Sequence, residues 1–230
     1  MLTAAHYRSC MTLKEELTKF ELPNHWQIGW NESLVHRARM EMTREFLNTD
    51  WSAMMWIDAD IEYDASAIAK LWNMDADIAV GAYSMKLPDK PLSAWRNGKL
   101  VKLDECPKEP FEVDYAGTGF FMVRRHVIER LIEYLEEWEE RGRALVWRLT
   151  NEKLVTSDEE KTLRRMLPAL ASSYQGLHGR TPALYMTPIW HDGLESEDYH
   201  FCRLAREAGY KIIMDPSIKL KHWGQFAYGA

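Results

Sequence analysis

Residues 54–61 read Met-Met-Trp-Ile-Asp-Ala-Asp-Ile. The apolar run Ala53–Ile57 has the character of a strand buried on both faces, and two aspartates around one alanine follow it directly. The same tetrapeptide returns at 75–78, this time directly before the apolar run Ile78–Tyr83. Between the two runs, Asp64 is placed to cap a short helix whose Ile68, Leu71 and Trp72 face inward. Upstream, Leu2–His6 reads as a short opening strand, Thr12–Phe20 as a helix and His25–Trp30 as a strand. Asn31 then caps a helix to about Leu47, with Val35, Ala38, Met42 and Phe46 on one face. Strands alternating with helices predict an α/β chain with a central, mainly parallel mixed sheet flanked by helices.

Downstream, Gly98 sits in a predicted hairpin, and Val113–Val123 carries Ala116-Gly117-Thr118-Gly119. Residues 124–140 form a charged helix. Ser196–Ala208 is a second, with Phe201, Leu204, Ala205 and Ala208 on one face and Gly209 ending it. Tyr210–Met214 and Ile218–Trp223 close the chain as strands. The whole of 1–230 reads as one domain, with about 141–192, rich in charge runs, Gly and Pro, as an insertion or lid.

With 46% apolar and 12% aromatic residues the chain builds a core and is not disordered. No apolar stretch reaches the roughly 18 residues that span a bilayer, and the N-terminus lacks the pattern of a signal peptide. Cys10, Cys106 and Cys202 are odd in number and widely spaced. They form neither a disulfide framework nor a zinc site, which predicts reduced thiols in a cytoplasm. A net charge of −6 argues against long nucleic acid as a partner.

Position separates the two Asp-Ala-Asp copies. Ligands bind outside the carboxyl ends of strands in open α/β sheets. Asp58, Ala59 and Asp60 occupy such an end, whereas Asp75 and Asp77 precede their strand and read as a turn. Carboxylates spaced in this way can hold a divalent cation. Tyr83 and Lys86 follow another carboxyl strand end, where they can reach a donor sugar or phosphate. Glu195-Ser196-Glu197-Asp198 opens a helix. Its macrodipole favours acidic residues there without any function, and a general base is the other use of one of them. His222 falls on the inward side of its strand, as a core histidine or as a metal ligand. An imidazole beside carboxylates suits Mn²⁺ better than Mg²⁺.

Taken together, SLVHRARM (33–40), MMWIDADIEYDASAIAKL (54–71), GAYSMK (81–86), DYAGTGFFMVRRHVIERL (114–131) and LESEDYHFCRLAREAGYKIIMDPSIKLKHWG (194–224) resemble the nucleotide-sugar glycosyltransferases of the GT-A fold. The likeness is strongest to family-2-type and phage- or virus-encoded members. It covers most of 1–140 and 193–225. It implies a Rossmann-like sandwich and transfer of a sugar from a nucleoside-diphosphate sugar, UDP by family habit, to a glycan or other acceptor hydroxyl. It implies Asp58 and Asp60 as the Asp-x-Asp motif and His222 as the C-terminal ligand of Mn²⁺ or Mg²⁺. Asp198, beside Glu197, matches the base of inverting members. Thr3, Ala4 and His6 would line the nucleotide loop, Arg39 would approach the donor, and Gly117, Thr118 and Gly119 would lie beside the sugar or acceptor. Met40 stands where the family often has Asn. The implied setting is the cytoplasm of a bacterium or of a virus-infected host cell.

Two other functions use similar residues. A nucleotidyltransferase also binds a metal through carboxylates, but normally carries a Gly-rich basic loop that TAAHYRSC (3–10) lacks. A nucleotide-sugar-binding module with a decayed site needs no base. Trp95, Trp190 and Trp223 lie near the proposed site segments as sugar-stacking candidates, and His191-Asp192-Gly193 as part of a lid.

Overall fold

The computed structural model describes residues 3–29, 34–87, 91–159, 161, 173–176, 179–190, 193–224 and 227–229. The chain divides into two compact units. The first comprises Met1–Ile28, Trp51–Val127 and Ala205–Ala230, and the second Gly29–Asp50 and Ile128–Leu204.

The first unit is built on a five-stranded sheet of β1 (Ala53–Ile57), β3 (Ile78–Gly81), β6 (Phe111–Val113), β8 (Phe120–Arg124) and β13 (Ile212–Asp215), in the order β1-β8-β3-β13-β6. The α/β character and the mixed sheet are as expected, but the balance of directions is not. Only β3 and β13 pair in parallel, while β1–β8, β3–β8 and β13–β6 are antiparallel. The cause is β8, which enters between β1 and β3 and runs against both. Its Phe120, Phe121 and Val123 are fully buried. This makes β8 an interior strand and leaves β1 at the sheet edge, half-buried along most of its length. An apolar run signals a core-facing strand without stating its direction or its neighbours.

Helices α1 (Ala4–Lys19) and α3 (Ala65–Asn73) pack on this sheet through Leu13, Ala67 and Leu71, against Ala79, Phe120 and Met122. The predicted strand over 2–6 is instead the start of α1, with residue 2 outside the described residues. The Thr3 hydroxyl accepts the His6 amide at 3.0 Å, and the following alanines favour a helix. Residues 25–29 form no strand, and Trp30 and Asn31 lie outside the described residues. Trp72 is exposed, not inward, and stacks beneath the Arg124 guanidinium at 4.4 Å.

Two small sheets position the loops. In one, β14 (Lys221–Trp223) lies between β2 (Ile61–Glu62) and β15 (Ala227–Gly229), pairing His222 with Ile61. In the other, β4 (Ala94–Arg96) lies between β5 (Lys99–Leu100) and β7 (Tyr115–Ala116). Asn97 and Gly98, with φ of 53° and 71°, make the predicted β4–β5 turn; both sit in the left-handed region that this two-residue hairpin demands.

The second unit holds α2 (Val35–Leu47), whose N-cap position is Leu34, with no side-chain cap. The buried residues of α2 are Arg39, Met40, Thr43 and Phe46, so its inner face is rotated from the predicted stripe and Val35 is exposed. Helix α4 (Arg125–Asn151) begins in the first unit and runs well beyond residue 140. The stretch read as an insertion therefore opens as helix. It continues with hairpins β9 (Ser173–Gly176) to β10 (Gly179–Pro182) and β11 (Ile189–Trp190) to β12 (Gly193–Leu194). Helix α5 (Glu197–Glu207) follows, and Phe201 stacks on Tyr185 with ring centroids 4.9 Å apart. Among the described residues no helix is long and apolar enough to cross a membrane.

Candidate functional site

Residues 58–60 form the turn that carries the chain from β1 into β2. The Ile61 amide donates to the Asp58 carbonyl at 3.0 Å, and the Asp58 amide to the Gly119 carbonyl at 2.9 Å. Three further donors hold the same segment. The Thr3 amide reaches the Ala59 carbonyl at 3.1 Å, and the Trp223 amide the Asp60 carbonyl at 2.8 Å. His6 Nδ1–H reaches the Ile61 carbonyl at 2.9 Å. Each backbone acceptor from 58 to 61 is therefore engaged, which fixes where the Asp60 side chain points.

That side chain meets two basic groups. Lys86 Nζ is 2.5 Å from Asp60 Oδ2, and His222 Nε2 is 3.5 Å from Oδ1. Oδ1 is buried and has no hydrogen-bond donor among the described residues. Burial alone would raise the Asp60 carboxyl; His222 and Lys86 outweigh it and hold the group well below the usual carboxylate range. The His222 ring is oriented from behind. Its Nδ1 lies 3.0 Å from the Ser84 carbonyl and carries a proton there, so Nε2 is the nitrogen left to meet Asp60 or a cation. Tyr83 packs edge-on against the same ring at 5.2 Å. The Tyr83 hydroxyl accepts the Gly119 amide at 3.1 Å.

The glycines are required by this packing. A Cβ on Gly117 would stand 2.3 Å from the Tyr83 hydroxyl and 2.4 Å from Ser93 Oγ; one on Gly119 would stand 3.0 Å from Asp58 Oδ2. Between them, Thr118 is buried, and its hydroxyl has no hydrogen-bond partner among the described residues. Burial pushes the Glu62 carboxyl, next along β2, upward, but Lys221 and the Trp223 indole N–H at 2.7 Å outweigh it and hold the group below its usual range.

Thr3, Ala4, His6, Asp58, Ala59, Asp60, Tyr83, Lys86, Gly117, Thr118, Gly119 and His222 all belong to the first unit, while Arg39, Glu197 and Asp198 belong to the second. Thr3, Ala4 and His6 open α1, not a loop after a strand, yet Thr3 and His6 still touch the Asp58–Ile61 turn. In the second unit, Arg39 Nη1 and Glu197 Oε1 form a mostly buried ion pair at 2.8 Å. Asp198 Oδ1 accepts from the Tyr199 amide at 2.9 Å and from the Ser196 hydroxyl. Burial drives the Asp198 carboxyl above its usual range, and the Glu197 charge adds to that against the opposing Ser196, Arg39 and Tyr199 contacts. The second Asp-Ala-Asp copy forms a turn before β3, where Asp77 accepts from His126 at 2.9 Å on the surface.

Three features were not read from the sequence. The Lys86–Asp60 contact joins residues 26 apart, and the Ser84 carbonyl behind His222 joins residues 138 apart. Neither leaves a local signal. A His6–Cys10 contact does, through its i, i+4 spacing on α1.

The donor types fit a divalent cation: a buried carboxylate oxygen without a hydrogen-bond partner among the described residues faces an imidazole nitrogen on a fixed turn. Among the described residues no three His, Cys, Asp or Glu side chains form a metal-holding group. A cation here would therefore draw its remaining ligands from phosphate oxygens and water, as Mg²⁺-type sites commonly do.

No family model and no curated protein matches the chain. Among solved structures, A197 from STIV is similar, with a TM-score of 0.49 and 16% identity over 93% of this chain and 78% of that one.

Proposed function

We propose that the chain is a metal-dependent glycosyltransferase, moving a sugar from a nucleoside-diphosphate sugar to an acceptor hydroxyl. The carrying observation is the unpaired, buried Asp60 Oδ1 facing His222 Nε2 at 3.5 Å on a turn whose carbonyls are all engaged. A carboxylate oxygen and an imidazole nitrogen held this close can share a divalent cation in place of a proton. A mixed carboxylate and imidazole set favours Mn²⁺ over Mg²⁺. When bound, that ion neutralises the diphosphate as it leaves.

Asp60 and His222 would hold the ion, with Asp58 beside them, and Lys86 would then be free to meet a phosphate oxygen. In the transfer, the bond from sugar carbon 1 to the diphosphate oxygen breaks, and the diphosphate takes the electron pair. The acceptor oxygen bonds to carbon 1 and its proton passes to a base. Asp198 has the chemistry of that base: a carboxyl raised by burial is a stronger proton acceptor than one in water. Attack on the face opposite the leaving group inverts the anomeric centre. UDP is the favoured carrier and a glycan the favoured acceptor. The widely spaced Cys10, Cys106 and Cys202 fit a reducing, cytoplasmic setting.

Titration calorimetry of UDP, GDP and CDP, with and without Mn²⁺, tests this on the wild type and Asp60→Ala. The expected result is tight binding of one nucleotide that requires Mn²⁺ and disappears in the variant. Binding of none, or binding indifferent to Mn²⁺ and to Asp60, overturns it.

A further inference from the structure

The first turns of α1 carry a second reactive group that the proposed transfer does not use. Cys10 Sγ lies 3.2 Å from His6 Nε2, one helical turn away, and the Tyr63 hydroxyl donates to the same sulfur at 3.5 Å. His6 Nδ1 is committed to the Ile61 carbonyl at 2.9 Å and must carry its proton there. Nε2 is then the basic nitrogen, and it faces the thiol. This is the arrangement of an activated nucleophile: thiol, base, and a third group that fixes the tautomer of the base.

We infer that Cys10 is a nucleophilic thiol with His6 as its base, open to oxidation by small hydroperoxides.

Cys10 is half-buried, which leaves it partly open to a small electrophile. The surroundings favour the charged pair. Burial opposes ionisation at both residues, but contact with His6 and Tyr63 lowers the Cys10 thiol, and contact with Cys10 and Ile61 and the Asp60 charge raise the His6 imidazole. Cys106 provides the contrast, since burial pushes its thiol up and Cys202 is fully buried. In the step itself, the Cys10 thiolate attacks one peroxide oxygen. The S–O bond forms and the O–O bond breaks, and the departing oxygen takes the proton from His6. Sulfur is oxidised by two electrons to a sulfenic acid, and the peroxide is reduced by two to water or an alcohol.

The test is a time course of iodoacetamide labelling of the full chain at pH 7, read thiol by thiol by peptide mass spectrometry. Cys10 is expected to react at least roughly tenfold faster than Cys106, and His6→Gln to remove most of that advantage while Cys202 stays unlabelled as a report that the chain is folded. With hydrogen peroxide and dimedone, the trapped sulfenic acid is expected on Cys10. Cys10 reacting no faster than Cys106 overturns the inference, and that comparison needs no variant. An unchanged Cys10 rate in folded His6→Gln, or no dimedone adduct on Cys10, overturns it equally.

Discussion

Gly117→Ala probes how tightly the ring behind His222 is packed. No positive φ constrains this position, so the cost of a methyl group is steric. The new Cβ would meet the Tyr83 hydroxyl at 2.3 Å and Ser93 Oγ at 2.4 Å. The backbone cannot retreat freely, because the Gly117 amide is bonded to the Ser93 carbonyl at 2.9 Å. Ser93 is half-buried and can change rotamer. Tyr83 cannot, because it is 6% exposed, its hydroxyl holds the Gly119 amide and its ring supports His222. Overpacking costs about 1–3 kcal/mol, and losing the partner of a buried amide costs about 1–3 kcal/mol more. Urea unfolding followed by tryptophan fluorescence is expected to show a loss of about 3 kcal/mol. Tyr83→Phe removes the clashing hydroxyl and leaves its ring carbon 3.2 Å from the Cβ. The double variant should therefore be more stable than the sum of the singles predicts, by about 1 kcal/mol or more. A Gly117→Ala protein within about 0.5 kcal/mol of wild type, or strict additivity with Tyr83→Phe, refutes this packing argument.

The remaining expectations concern the charged groups. Asp198→Asn should abolish transfer while sparing Mn²⁺-dependent nucleotide binding, whereas Glu197→Gln, whose carboxylate is tied to Arg39, should keep transfer; radiolabelled sugar transfer separates them. Because the folded Asp198 carboxyl is raised, the native state holds its proton at a pH where the unfolded chain, with a value of about 3.9, has lost it. Stability should therefore fall as pH rises from about 3.9 through the folded value, and Asp198→Asn should lack that slope in denaturation curves taken across the window. Lys86→Met removes a partly exposed ion pair worth about 0–1 kcal/mol. Calorimetry should find little loss of stability and Mn²⁺ binding tighter by about threefold to tenfold, since the ammonium no longer competes for Asp60.

The sequence by itself determined the pieces of the fold that depend on local rules. Apolar runs set β1 and β3 as strands, Gly209 ended its helix, and Gly98 marked its hairpin, because each follows from side-chain period or backbone freedom within a few residues. It also separated the two Asp-Ala-Asp copies, since lying after one strand and before another is a matter of chain order. Only tertiary structure decided strand direction and neighbourhood. The same apolar letters in Ala53–Ile57 serve a buried parallel strand or an antiparallel edge, and β8, contributed from over sixty residues later, settled it. Thr3 illustrates the local limit in reverse: its hydroxyl on the His6 amide turned an expected strand into a helix. The meeting of Asp60 with His222, Lys86 and the carbonyls around them joins segments far apart in sequence, which no local pattern encodes. Packing of one strand against another placed them, and with them the unpaired oxygen on which the proposed chemistry depends.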